Sequence, residues 1–309
     1  MIELIIQLLI FTISLVVLAS ASHFTIKSIE KLIEITGLSE ASAGFVILAV
    51  MTSTPEIIVA LFSVLQGNPA ISIGDILGSN VFNVGAVLGI LGMLGFLKTC
   101  CTGLLVELTD ILFITSLIPI LLVIFEVASP IVGIILLGSF LISTYFLAKK
   151  RTPIVETTKS AVSEESKKAA LTLLLLSFVG LIIAARLVVS SGLSIALILG
   201  APPILIGAKV VAIGTSLPEL TVDFEAVRRG RVQLAIGGII GSNLTNLTLI
   251  LGLVLLTSPF GVDMTIFTEI LPFLLITTIV FWRFLTRGGV SQIGGIILIM
   301  TYILFQAII

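Results

Sequence analysis

The sequence predicts an all-α polytopic membrane protein whose ten transmembrane helices form two inverted five-helix repeats. Three observations carry that prediction. Of 309 residues, 58% are hydrophobic and only 11% charged, with a mean hydropathy of +1.30, whereas soluble globular chains carry about 25% charged residues. Stretches free of Asp, Glu, Lys, Arg and His cover 4–22, 76–97, 127–148, 169–185, 187–208, 232–262 and 288–309, and most approach the roughly 20 residues that cross a hydrocarbon core as a helix. The chain also repeats itself at an ungapped shift of 163 residues. Solid apolar runs, rather than alternating ones, exclude a transmembrane β-barrel.

Helices are expected over 3–34, 41–66, 71–96, 104–126 and 129–149, then over 168–197, 203–228, 232–258, 264–285 and 289–309. In the first, Ala19-Ser20-Ala21 has the look of a signal cleavage site. Met1-Ile2-Glu3 has no positive charge, however, and the repeat needs this helix, so it is read as a retained span. The second and third helices carry the strongest repeat. Gly44 to Glu56 lies over Gly207 to Glu219, Gly74 to Asn83 lies over Gly237 to Asn246, and 18 of the 46 positions from 44 to 89 are identical to their counterparts in 207–252. The matches include Thr, Ser, Pro, Glu, Gly and Asn, which shared apolarity cannot produce. Weaker matches upstream are Ala21/Ala184, Ser28/Ser191 and Gly37/Gly200. The organisation expected is a first repeat over 1–148, a polar linker over 149–168 and a second repeat over 169–309.

Five helices per repeat is an odd number, so the second copy must enter the membrane from the opposite side. Lys and Arg favour the cytoplasmic side. Placing both termini outside puts 14 of the 16 basic residues in the cytoplasm, leaving only Arg186 and Lys209. The chain is thus expected to be a multi-pass cell-membrane protein with extracellular termini and a cytoplasmic linker.

Composition also excludes functions. A net charge of −1 without a basic domain speaks against nucleic acid. Adjacent Cys100 and Cys101 cannot build a disulfide framework or a Cys-x-x-Cys metal site and are read as inert thiols. One histidine, His23, is too few for paired haem ligation. No cofactor, no nucleophile–base set and no obligate protein partner are evident.

The repeated motifs point to ions. Pro55 and Pro218 sit inside apolar spans, where proline removes a donor and clashes with the carbonyl four residues earlier, loosening carbonyls near 49–51 and 212–214. Such breaks must face a protein cavity rather than lipid. Glu56 and Glu219 follow these prolines near mid-membrane, where a carboxylate is a functional-site hypothesis by default. Thr52 and Ser53, like Thr215 and Ser216, share the face of their glutamate, and Ser79/Asn83 and Ser242/Asn246 are each four residues apart on one helix face. Two carboxylates, two amides, six hydroxyls and loosened carbonyls all offer oxygen, with a charge of about −2, a set suited to a hard cation such as Ca²⁺. Isolated Ser, Thr and Asn on membrane helices can equally serve as interhelical glue, and Gly78, Gly89, Gly241 and Gly252 permit close packing. The duplicated glutamates are not explained that way.

Thr52-Ser53-Thr54-Pro55-Glu56 and Thr215-Ser216-Leu217-Pro218-Glu219, each followed by Gly-Ser-Asn-x-x-Asn, resemble the two α-repeats of the cation/calcium antiporter superfamily. The resemblance implies a secondary antiporter that moves Ca²⁺ in exchange for Na⁺ or H⁺ by alternating access. It implies Ca²⁺ ligation by Glu56 and Glu219, with Asn83 and Asn246 completing the centre. Thr52, Ser53, Ser79, Thr215, Ser216 and Ser242, with the carbonyls of Ala49 and Ala212, would form flanking monovalent-ion sites. Three departures stand out. Asn246 replaces the Asp usual in prokaryotic sodium/calcium exchangers, as in the proton-coupled branch. Asp75 and Gly238 replace Asn, and Met51 replaces the Gly before Thr-Ser. Asp75 shares a stripe with Ser79 and Asn83, and is expected either to steer cations near the mouth or to replace the charge missing at Asn246. Three carboxylates in one low-dielectric cavity would let protons compete with Ca²⁺.

Asp223 and Glu225 are expected to be solvated or paired with Arg228 and Arg229. His23 and Arg186, equivalent in the repeats, are expected to snorkel or pair locally, or, as the resemblance implies, to belong to the sliding gate that these helices form in the superfamily. By the same resemblance the alternative is a proton/cation exchanger without Na⁺ coupling, although the Thr-Ser-x-Pro-Glu motif favours the sodium branch. A passive channel and an intramembrane enzyme are the other classes, and neither a pore-loop signature nor catalytic groups support them.

Overall fold

The computed structural model describes residues 2–36, 39–65, 69–98, 102–125, 129–149, 164–198, 213–257 and 264–308. Every regular element among them is helical, as apolar runs must be when water cannot satisfy their backbone. Among the described residues, six helices are long and apolar enough to cross a membrane: Glu3–Ile35, Glu40–Leu61, Ser72–Met93, Gly103–Ile124, Val232–Thr257 and Thr268–Leu285. Shorter apolar helices cover Pro130–Tyr145, Lys168–Ala184 and Gln292–Ile308.

In chain order, α1 is Ile2–Thr36, and α2 (Glu40–Ala43) starts at the Ser39 side chain, which accepts from Ser42 N–H at 3.1 Å. A π-helical turn, Gly44–Leu48, leads to α3 (Ala49–Thr52); after a break at Ser53 comes α4 (Thr54–Leu65). Then come α5 (Pro69–Phe82), a π-turn over Asn83–Leu88, and α6 (Gly89–Met93). The fourth expected helix is two pieces, α7 (Gly103–Leu117) and α8 (Ile120–Phe125), because Pro119 cannot donate to the ladder. Next are α9 (Pro130–Lys149) and α10 (Glu164–Ile198), whose first turn takes up part of the expected linker. The second half continues with α11 (Leu217–Arg228), α12 (Val232–Leu244), a π-turn over Thr245–Ile250, α13 (Leu251–Thr257), α14 (Met264–Leu285) and α15 (Gln292–Ile308). The turn between α11 and α12 needs Gly230, whose φ of +77° suits a residue without Cβ.

The layering follows from burial. The 18-residue apolar windows of Ser72–Met93 and Val232–Thr257 are 89% and 83% buried inside the protein, and that of Glu3–Ile35 only 18%. The helices over Ser72–Met93 and Val232–Thr257 are therefore central, while α1, packed along α10, is peripheral. Ile5, Leu9, Ile13 and Val16 on α1 and Leu171, Leu175, Val179 and Ile183 on α10 form an exposed apolar surface suited to lipid.

Glycine lets the central helices touch backbone to backbone. A Cβ on Gly237 would stand 2.5 Å from the Ala41 carbonyl, and one on Gly241 2.9 Å from that of Phe45; a Cβ on Gly44 would overlap the Leu234 carbonyl. The same contact recurs at the far ends. Gly252 approaches the Gly133 carbonyl and Gly89 that of Gly295, with ideal Cβ distances of 3.1 and 3.2 Å. Gly89 and Gly252 are repeat mates, so α6 packs on α15 as α13 packs on α9.

Candidate ion-binding site

The site forms where two broken helices meet two helices carrying π-turns. Ser53 (φ −78°, ψ 3°) and Ser216 (φ −93°, ψ 5°) leave the helical region at equivalent positions, two residues before Pro55 and Pro218. Glu56 and Glu219 thus fall in the first turns of α4 and α11. Opposite them, a π-turn begins at Asn83 and another at Thr245, one residue before Asn246. Such bulges rotate the following side chains and are frequent at functional sites.

Glu56, Ser53, Ser79, Asn83, Ser216, Ser242 and Asn246 are each 0% exposed, Glu219 1% and Thr52 3%. The halves are joined by polar contacts. Ser53 and Ser242 share a hydrogen bond of 2.9 Å, and Ser242 Oγ donates to Glu219 Oε1 at 3.2 Å. Thr52 also lies beside the Glu219 carboxylate. Asn246 Nδ2 donates to Ser79 Oγ at 3.1 Å, and Asn83 Nδ2 to Asn243 Oδ1 at 3.0 Å.

These bonds have one consequence. Both amides spend their N–H groups on neighbours, and the oxygens are left over. Among the described residues, Glu56 Oε1 and Oε2, Glu219 Oε2, Asn83 Oδ1, Asn246 Oδ1, Asp75 Oδ2 and Ser216 Oγ are buried without a hydrogen-bond partner. Leaving one buried polar group unsatisfied costs about 1–3 kcal/mol, more for charged groups. Seven buried oxygens without partners, two of them on Glu56, are a set that a bound cation would satisfy. A hard ion with six to eight oxygen ligands matches the donor chemistry.

Asp75 stands one step outside this centre. Its Oδ1 accepts from Thr215 Oγ1 at 3.0 Å, and it is near enough for its charge to act on Glu56. Yet among the described residues no three His, Cys, Asp or Glu side chains converge on one metal position, so Asp75 adds charge to the cavity without joining the two glutamates around one point. The Ala49 carbonyl is less free than the sequence suggests. It accepts the Ser53 N–H at 3.0 Å and Thr52 Oγ1 at 3.5 Å, because the helix breaks only after that bond is made. Ala212 lies outside the described residues.

The repeat mates are not in equivalent arrangements. By the 163-residue shift the partner of the Ser53–Ser242 bond would be Ser216–Ser79, but Ser79 takes Asn246 and, among the described residues, Ser216 Oγ has no partner.

Sequence reading missed Asn80 and Asn243, although both stood in the duplicated Gly-Ser-Asn. Asn243 orients Asn83 and donates to the Asn80 carbonyl at 3.4 Å, while Asn80 Nδ2 bonds the Ile76 carbonyl at 2.6 Å. Their repetition was the available signal. Asp223 corrects an expectation: it is 2% exposed and lies against Gly238, so it is neither solvated nor held by the arginines. Glu225 does pair, with Arg228 at 3.3 Å, Arg229 at 2.8 Å and His23 Nδ1 at 2.8 Å. Arg229 also bonds Glu30 at 2.7 Å, and Arg231 bonds Glu30 at 3.0 Å and Glu40 at 2.8 Å. The Glu30 and Glu40 hydrogen bonds push the Arg231 guanidinium above its usual pKa, so this link between α1, α2 and the α11–α12 turn stays charged. Arg186 is exposed.

The chain is similar in sequence and in fold to known exchangers. The family model described as "Sodium/calcium exchanger protein" matches residues 6–149 and 169–309. The chain is 28% identical to sodium/calcium exchanger MaX1 of Methanosarcina acetivorans over 98% of both chains. It is 28% identical to the inner membrane protein YrbG of Escherichia coli over 84% of this chain and 85% of that one. Among solved structures, the sodium-calcium exchanger NCX_Mj soaked with Na⁺ and Sr²⁺ superposes with a TM-score of 0.85 at 25% identity over 98% of each chain.

Proposed function

Because the chain belongs to the sodium/calcium exchanger protein family, a family of membrane transporters rather than enzymes, we propose that it is a secondary antiporter. It carries Ca²⁺ through one central site in exchange for Na⁺ or H⁺. The observation that carries the reading is the group of buried oxygens without donors around Glu56 and Glu219. Glu56, Glu219, Asn83 and Asn246 hold Ca²⁺. Thr52, Ser53, Ser79, Thr215, Ser216 and Ser242, with the Ala49 and Ala212 carbonyls, serve flanking monovalent ions. Alternating access is supported by the unequal bonding of Ser53 and Ser216: two copies of one motif in different arrangements are what exchanging roles requires. Asn246 in place of a carboxylate, with Asp75 nearby, favours protons as a second counter-ion.

Ca²⁺ uptake into proteoliposomes under separate Na⁺ and pH gradients tests the proposal. Uptake is expected to follow at least one gradient and to stop when both are collapsed. Sustained flux without a counter-ion gradient would make the protein a channel.

The ten-helix plan, with 149–168 cytoplasmic and both termini outside, is part of the same reading. The shared glycine contacts of Gly89 and Gly252 support an interlocked pair of repeats. Cysteines introduced at 150–163, in a chain with Cys100 and Cys101 replaced by serine, are expected to resist membrane-impermeant thiol reagents in intact cells. Ready labelling there would overturn the inverted arrangement.

A further inference from the structure

The charge-bearing positions of the two repeats are exchanged. Asp75 on α5 has Gly238 on α12 as its repeat mate, and Asp223 on α11 has Ala60 on α4. The helices concerned pair alike, α4 with α5 and α11 with α12. Each repeat thus has one aspartate and one small residue in this helix pair, but the aspartate has changed helices. Asp223 is close to its small partner. A Cβ built on Gly238 would lie 3.3 Å from Asp223 Oδ1. Gly238 continues the Ser242–Asn246 stripe by another four residues, so the Asp223 carboxylate extends the ion-binding face of α12.

The two aspartates stand on opposite sides of the centre. Along α11 and the turn before it, Thr215, Glu219 and Asp223 are spaced by four residues. Asp75 is hydrogen-bonded at the Thr215 end, so Asp223 lies beyond Glu219, about 12 Å from the Thr215 level by helical rise. The Asp223 end leads into Arg228, Arg229 and Arg231.

Asp223 is 2% exposed, and among the described residues it has no hydrogen bond or ion pair; the carboxylate near enough to act on it electrostatically is Glu219, of like charge. A buried carboxylate facing another carboxylate is costly unless a cation joins it. Leu48 covers the place, with its Cδ2 2.8 Å from the Gly238 Cβ position, while Gly44 and Phe45 press the π-turn Gly44–Leu48 onto α12. Movement of that π-turn would open Asp223 to the Arg228–Arg231 side.

We propose that Asp223 is an access carboxylate, which receives and releases cations on the side opposite Asp75, so that each mouth of the transport path has its own aspartate. The inference rests on the antiporter reading above. It is tested by measuring half-saturating Ca²⁺ at each face separately, in right-side-out and inside-out vesicles carrying the full chain. Asp223→Asn is expected to raise the half-saturating concentration about five-fold or more at the Arg228–Arg231 face and less than two-fold at the other. Asp75→Asn should do the reverse. Equal shifts at both faces, or none, would overturn the assignment. Failure of the antiporter reading is distinguishable, because the wild-type chain would then show no counter-ion-dependent Ca²⁺ flux. If Asp223→Asn does not assemble, Asp223→Cys in the background lacking Cys100 and Cys101 provides a second measurement. Small cationic methanethiosulfonates should modify it from the Arg228–Arg231 face, more slowly with Ca²⁺ present. Modification from the opposite face, or a rate indifferent to Ca²⁺, would count against the proposal.

Discussion

Glu56→Gln is expected to abolish Ca²⁺ transport while the protein still folds. Both carboxylate oxygens of Glu56 are fully buried without a donor, so they stabilise nothing until a cation arrives. The substitution keeps the size, removes one of two central charges and points an N–H₂ donor into a cluster of acceptors. Two unit charges 4 Å apart interact by about 4 kcal/mol at an effective dielectric constant of 20, and the ion is divalent. An apparent affinity loss of at least about 100-fold is therefore a lower bound, at about 1.4 kcal/mol per decade. The metal-free variant should melt at or above the wild-type temperature, since an uncompensated buried charge is gone. Ca²⁺ should no longer raise its Tm, because stabilisation by a ligand requires binding to the folded state. Glu219→Gln should behave alike in transport, but with some loss of structure around Ser242 and Thr52, which contact that carboxylate. Normal flux in either variant would remove the glutamates from the site.

Gly237→Val is expected to prevent accumulation of folded protein. The added Cβ would sit 2.5 Å from the Ala41 carbonyl oxygen, 3.1 Å from its Cα and 3.2 Å from its carbonyl carbon. These are backbone atoms, so no rotamer relieves the overlap and the two central helices must separate. Overpacking in a well-packed core typically costs 1–3 kcal/mol and occasionally more; here about 3 kcal/mol or more is expected. Gly180→Ala is the matched control. Its Cβ would meet the Ala21 Cβ at 3.9 Å, an ordinary contact, and helix interiors favour Ala over Gly by roughly 0.5–1 kcal/mol. Monodisperse yield after detergent extraction separates the two. A Gly237→Val protein as abundant and as thermostable as wild type would show that the helices are not locked there.

Much of this was readable because membrane helices are written in long charge-free stretches and because duplication supplies a second reading of every motif. The helix breaks at Ser53 and Ser216 follow from Pro55 and Pro218. The burial of Glu56 and Glu219 inside the protein follows from placing charge in an apolar span. What the sequence withheld is side-chain direction across helices far apart in the chain. Nothing local indicates that Asn243 will take the N–H₂ of Asn83, 160 residues away, and leave its oxygen free. Nor does composition distinguish Asp223 from Glu225. Two residues apart, they point to different sides of α11, one against Gly238 and the other toward His23 and the arginines. The π-turns at Asn83 and Thr245 left no recognisable mark, since apolar residues accommodate α and π spacing alike.

The length of α1 and α10 has a mechanical consequence. Each is 35 residues, about 52 Å of helix at 1.5 Å per residue, against a hydrocarbon core of about 30 Å. A pair so long must lean steeply or project far into the headgroups. Any tilt or slide of the pair changes the apolar length it presents to lipid, at a cost of fractions of a kcal/mol per Å of mismatch. In a transport cycle that tilted or slid these helices, acyl-chain length would act as a spring on them, and the bilayer would add a load alongside the ion gradients.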